Sequence, residues 1–377
     1  MLTTTRYEPA PTLTPRGGRS PATDLKLLRR YEEISAAGKV AWMGHYHLQR
    51  LLGRGGQGEV YLSEYRGTDR FTVPVAIKIF SPERYETALA YKTAMQRVAE
   101  TAARIAVIQH DNLLGVQNFI ERSGIRMMMM EWIDGHDLRQ LVHPSCLHLM
   151  EGQVSPRRWR YINEVILTDG PKQSRFKPGI AVAIVRECLS ALAALHRQGV
   201  LHGDIKPANI MLKRTGHTKL IDIGSALDWN DPPKHRDCTP LYAPPEVLEE
   251  RAPDPRSDLA SLGYVLVELL AGRPVSSPGA TAGELLNQKR SLPAKLSSLL
   301  PDEVQRNSLL MNFINGLINP DVNRRFQNAE IAEHVDQGAA AFHRQLVLGD
   351  MSTEYVNDVR VWLDELRRLK FNPDHSH

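Results

Sequence analysis

The stretch Leu201 to Asn209 reads L-H-G-D-I-K-P-A-N, which crowds Asp204, Lys206 and Asn209 into one short polar loop directly after a strongly apolar helical stretch. An acid, a cation and an amide at this spacing can place a base, a phosphate-binding charge and a metal ligand around one reacting oxygen. Asp222 follows at the end of a short hairpin, in which Ile210 to Leu212 and Lys219 to Ile221 flank a turn at Gly216. Such a hairpin can hold Asn209 and Asp222 side by side. Taken alone the loop is a common structural arrangement, so order and spacing along the rest of the chain must decide.

Composition bounds the answer. The chain has 377 residues, 42% hydrophobic and 24% charged, enough for a large core and about two to three domain units. Lys plus Arg is 47 against 43 for Asp plus Glu, and a net charge of +4 argues against nucleic acid as the main partner. Cys146, Cys188 and Cys238 are odd in number and unpaired in spacing, which suggests neither a disulfide framework nor a zinc site. No signal peptide and no uncharged apolar run of about 18 residues is evident, so a soluble cytoplasmic protein with no membrane partner is expected.

Upstream elements must position the loop. Met1 to about Thr23 is Pro-rich and reads as a disordered tail, followed by a short helix over Asp24 to Ala37. That helix either merely lengthens the following lobe, the preferred reading, or docks on it and regulates it. His45 to Leu52 reads as a strand and leads into G-R-G-G-Q-G-E-V, where Gly53, Gly55 and Gly58 leave backbone N–H groups open to phosphate oxygens. In V-A-I-K, strand alternation puts Ala76 and Lys78 on one face. The apolar flanks of Lys78 imply that its ammonium needs a buried partner. A helix is expected over Tyr85 to Val107 and a strand over Met127 to Met130.

Residues 143–177 form an insertion rich in Arg and Lys with Trp159 and Tyr161 interleaved. A solvated loop is the preferred reading, a docking patch the other. Ile180 to Arg197 is an apolar helix ended by Gly199, and Thr353 to Lys370 an amphipathic helix that packs back on the large lobe or meets a partner chain.

Together these motifs resemble eukaryotic-type (Hanks-type) serine/threonine protein kinases, most closely bacterial members, over about 45–345. The resemblance implies an α+β, bilobal fold, with a β-rich N-lobe at 45–131, a helical C-lobe at 132–345 and a helical extension at 346–377. It implies ATP and Mg²⁺ (or Mn²⁺) as cofactors and a protein Ser/Thr hydroxyl as substrate. On this resemblance Asp204 accepts or orients the hydroxyl proton, Lys206 steadies the transferring phosphoryl group, Lys78 holds the α and β phosphates, and Asn209 with Asp222 binds the metal. Leu52, Val60, Ala76 and Met130 would enclose the base, the backbone of Glu131 and Ile133 would form its hydrogen-bonding edge, and Glu100 would pair with Lys78.

Thr239 to Glu246 resembles the peptide-docking segment, and Arg325 is expected to pair with Glu246. Ile223 stands where the family has Phe. Gly203 stands where it has the Arg that receives an activation-loop phosphate, and Ala226 to Asp237 holds no Ser, Thr or Tyr. A kinase that does not need phosphorylation of this loop is therefore expected. The alternatives are a pseudokinase scaffold, against which Lys78, Asp204, Asn209 and Asp222 are all present, and a small-molecule kinase of related fold.

Overall fold

The computed structural model describes residues 24–36, 46–233, 237–334, 338–348, 355–369 and 371. The tail expected at Met1 to Thr23 lies outside them. A five-stranded antiparallel sheet builds the small lobe from β1 (Tyr46–Gly55), β2 (Gly58–Arg66), β3 (Thr72–Phe80), β4 (Val116–Arg122) and β5 (Ile125–Glu131), in the order β1-β2-β3-β5-β4. Its register sets Val60 opposite Lys78 and Ala76 opposite Met130, so these four share one face. Ile77, Ile79, Met127 and Met129 occupy the other and are at most 2% exposed.

That second face is covered by helix α1 (Leu25–Ala36), which Asp24 caps through the amides of Lys26 and Leu27 at 3.0 and 3.2 Å. Leu27, Leu28 and Tyr31 are buried. Tyr31 lies near Glu59, the residue opposite Ile79, and burial with the Glu59 charge pushes its hydroxyl pKa well up. The helix is thus docked on the lobe, closing a surface that the sheet cannot bury itself. Helix α2 (Ala88–Ala106) starts three residues later than its apolar pattern suggests, because Thr87 caps it by accepting from the Ala90 amide at 3.0 Å.

The large lobe is organised on two apolar helices, Pro178–Arg197 and Pro255–Ala271, the second buried on nearly every side. The first is long and apolar enough to cross a membrane by length and composition, yet it is mostly buried in this core.

The insertion is not a solvated loop. It folds into helical turns at Pro144–His148 and Pro156–Tyr161 and a π-helical turn at Ile162–Ile166, and Cys146, Leu147, Met150, Ile162, Ile166, Leu167 and Phe176 are fully buried. The cause is a partner distant in sequence, the C-terminal helix Tyr355–Arg368. Trp362 is fully buried there, edge-on to Phe176 at 6.0 Å, with its indole N–H directed to Met150 Sδ at 3.1 Å. Arg158 forks onto Glu365 at 2.9 Å and Tyr161 donates to Asp358 Oδ1 at 2.7 Å. Arg175 and Lys177 meet Glu303 at 2.7 and 3.0 Å. Three of the cations that suggested a docking patch are therefore used within the chain, and the two candidate partner-binding segments cover each other.

Trp362→Ala should lower unfolding stability by about 3–5 kcal/mol, the usual cost of emptying a buried aromatic site. Urea unfolding measures this, and a change of under about 1 kcal/mol would mean that the helix contributes little to the lobe.

Candidate active site

The glycine-rich loop is the β1–β2 hairpin, in which Gly55 pairs with Gly58. Gly58 has φ +136°, and a Cβ there would overlap the Ile79 carbonyl, so only glycine lets the loop lie this close to β3. Leu52 lies late in β1, and Val60, Ala76 and Met130 share the sheet face that also carries Lys78. Glu131 ends β5, and its amide donates to the Gly115 carbonyl at 3.0 Å. Its carboxylate accepts from the Gly115 amide at 2.6 Å and from Lys219, so this side chain ties the lobes together. Ile133 follows, half-buried, before the short strand Gly135–Asp137.

The loop Leu201 to Asn209 is held from below by Asp258, buried at the start of its helix. Its carboxylate accepts from the amides of His202 and Gly203 at 2.9 and 3.0 Å, with His196 Nε2 at 2.9 Å. Burial would raise the Asp258 pKa, but the His196 hydrogen bond and charge, His202 and the Gly203 amide outweigh it and lower it. Above this base, Asp204 Oδ2 accepts from Lys206 Nζ at 2.7 Å and from Asn209 Nδ2 at 3.2 Å, while Asp204 Oδ1 accepts from the Thr239 amide at 2.9 Å. Lys206 Nζ also donates to Thr239 Oγ1 at 2.8 Å. Thr239 thus contacts both Asp204 and Lys206.

Asn209 turns its amide nitrogen to the Asp204 carbonyl at 2.7 Å, and the Ile221 amide donates to the Asn209 carbonyl at 2.9 Å, which sets Asp222 beside it. Asp222 sits at φ 59°, a left-handed conformation uncommon for a non-glycine residue, stabilised locally by the Gly224 amide on its carboxylate. Burial would raise its pKa, but the Lys78 ammonium beside it, with Lys206 and that amide, holds it at about 2. It is therefore ionised at any working pH. Among the described residues no hydrogen-bond donor reaches Asn209 Oδ1 or Asp222 Oδ2. One neutral and one anionic oxygen, from the residues just before and just after one hairpin, suit a hard divalent cation.

One placement differs from the expectation. Lys78 is not paired with Glu100. Glu100 is exposed and accepts from Gln96 on its own helix at 2.9 Å, while Lys78 bonds Asp222 and Gln57 Oε1, the latter at 2.7 Å. The inward side of α2 carries Tyr91, Met95, Thr101, Ala102 and Ile105, so the register puts Thr101, not Glu100, inward. Glu100 therefore has no contact with the nucleotide face.

The activation segment is held by two acids of its own. Asp237 pairs with Arg84 from the β3–α2 connection, and Asp228 with Arg104 of α2 at 2.6 Å. The short strand Leu227–Asp228 also pairs with Val200–Leu201. Gly203 has φ +76°, and a Cβ there would press on the Ser225 carbonyl, which explains a glycine where the resemblance has Arg. Beyond it, Glu246 and Arg325 form the expected buried pair at 2.7 and 2.9 Å, and Ser257 donates to the same carboxylate at 2.8 Å. Sequence reasoning passed over Gln57, Arg84 and Arg104. The only signal for Gln57 was a long polar side chain among glycines.

A bilobal molecule with this loop geometry is a protein kinase fold, and comparison agrees: residues 46–335 match the family model described as protein kinase domain. The chain belongs to the protein kinase family. It is similar to the serine/threonine-protein kinase PknD of Mycobacterium tuberculosis, 33% identical over 235 residues, which is 61% of this chain and 30% of that protein. PkaA of Streptomyces coelicolor is 30% identical over 272 residues, 68% of this chain and 44% of the relative, and PknE of Mycobacterium tuberculosis 32% over 235 residues, 61% and 35%. The chain thus spans well under two thirds of the length of the relatives it matches.

Proposed function

We propose that this chain transfers the γ-phosphoryl group of ATP to serine or threonine hydroxyls of a protein. The observation that carries the reading is the cluster of Asp204, Lys206 and Thr239 beside the free oxygens of Asn209 and Asp222. Asp204 is poised to accept the hydroxyl proton, since its carboxylate is oriented from both oxygens. Lys206, held between Asp204 and Thr239, places positive charge where the transferred group would gather negative charge. Lys78, with one donor uncommitted among the described residues, orients the α and β phosphates. Asn209 and Asp222 would hold the divalent cation, for which Mg²⁺ (or Mn²⁺) is our choice, and which supplies charge neutralisation between phosphates. The free buried cysteines suit a reducing cytoplasm. Incubation of the purified chain with labelled ATP and Mg²⁺, alone and with generic protein substrates, tests the reading; no label on any Ser or Thr would sink it. A pseudokinase scaffold is favoured only by the missing Lys78–Glu100 pair, and the same assay separates the two.

We further infer that order in the activation segment does not depend on phosphorylation, because Arg84–Asp237 and Arg104–Asp228 supply with encoded carboxylates what a phosphate would supply. Phosphatase-treated protein should keep its initial rate on a protein substrate. A loss of about tenfold, restored by rephosphorylation between Asp222 and Glu246, would refute this.

A further inference from the structure

Lys78 is 3% exposed, and a buried ammonium needs its donors directed. One N–H goes to Asp222 Oδ1 and a second to Gln57 Oε1 at 2.7 Å. The Gln57 amide can face only one way, because lysine has no acceptor to offer, and its NH₂ accordingly donates to Ser225 Oγ at 2.7 Å. Its backbone is fixed as well, since the Gln57 carbonyl accepts from the Ser81 amide at 2.9 Å. Space for the amide comes from Gly224, where a Cβ would overlap Gln57 Oε1 and crowd Lys78 Nζ. Glu86, just before α2, and Glu100, in its C-terminal half, do not compete, for both are exposed.

We propose that Gln57 is a positioning residue, supplying from the glycine-rich loop the acceptor oxygen that orients Lys78 and tying that loop to the Asp222–Ser225 segment. Two of the three ammonium donors are thereby fixed and the third is left for a phosphate oxygen. One side chain thus links the glycine-rich loop, the lysine and Ser225. The proposal rests on the kinase reading.

The test compares Gln57→Ala, Gln57→Glu and Glu100→Ala in the full chain, with thermal melting as the folding control. Two readouts are taken, steady-state kinetics on dephosphorylated casein and the Kd for a fluorescent ATP analogue with Mg²⁺. Gln57→Ala should raise both KM for ATP and Kd and lower kcat/KM by roughly 10- to 100-fold, the worth of a hydrogen bond to a charged group. Gln57→Glu, which keeps the oxygen, should recover to within about threefold, and Glu100→Ala should change nothing beyond about twofold. A wild-type Kd and KM in Gln57→Ala, or a Glu100→Ala loss as large as that expected of Gln57→Ala, would overturn the proposal. If the wild-type chain transfers no phosphate, the kinase reading fails by itself, and the Kd comparison still decides whether Gln57 positions Lys78.

Discussion

Asp204→Asn is expected to lower kcat by roughly 10²- to 10⁴-fold, the usual worth of a positioned base, while nucleotide affinity is largely kept. The substitution acts twice on the geometry. It removes the proton acceptor, and it sets an amide NH₂ against donors that now converge on a carboxylate, the Lys206 ammonium and the Thr239 amide. Whichever oxygen is replaced, at least one donor loses its acceptor, so part of the loss should appear as a looser docking segment and a raised KM for protein substrate. Asp222→Asn should behave differently. Its carboxylate is the charge partner of Lys78 and an oxygen suited to the metal, so the variant should weaken Mg²⁺-nucleotide binding itself. Equilibrium titration with a fluorescent nucleotide and single-turnover phosphotransfer separate the two, and unchanged transfer in both variants would remove the assignment.

Arg325→Ala should cost about 3–5 kcal/mol of stability, because it strands a buried carboxylate. Glu246 is 3% exposed and takes both guanidinium arms, and Arg325 also donates to the carbonyls of Asn319 and Arg256. The pH dependence has a definite sign. Burial tends to raise the Glu246 pKa, but its bonds to Arg325 and Ser257 lower it in the folded protein. Its contribution is therefore present above the unfolded value of about 4.3 and is lost as pH falls through the depressed folded value. In the variant the unpaired carboxyl titrates upward, so the stability gap between variant and wild type should narrow in acid. Denaturant unfolding at several pH values measures both effects, and a pH-independent gap would show that Glu246 is not the group stranded. Glu246→Gln combined with Arg325→Leu should recover part of the loss, since no charge is then left buried.

The candidate site was legible in the sequence through motifs that resemble those of protein kinases, and its residues meet because they are local. Asp204, Lys206 and Asn209 lie on one loop, Asp222 follows across a hairpin, and strand alternation aligns Ala76 with Lys78, while the order of these motifs along the chain carried the resemblance that assigned their roles. Helix stripes likewise marked the apolar faces of Pro178–Arg197 and Tyr355–Arg368, but not what the second of them would cover. The tertiary structure alone decided what meets across long sequence distances. The insertion appeared solvated because its partner, the Trp362 face, lies about 200 residues on, and apolar and basic residues without a visible partner read as a loop. The Lys78 partner was misplaced because a helix turns about 100° per residue, so a one-residue error in register swings Glu100 from the cleft to solvent. Gln57 filled that position from a loop whose backbone only the folded β1–β2 hairpin aims at Lys78, and no periodicity encodes such a contact.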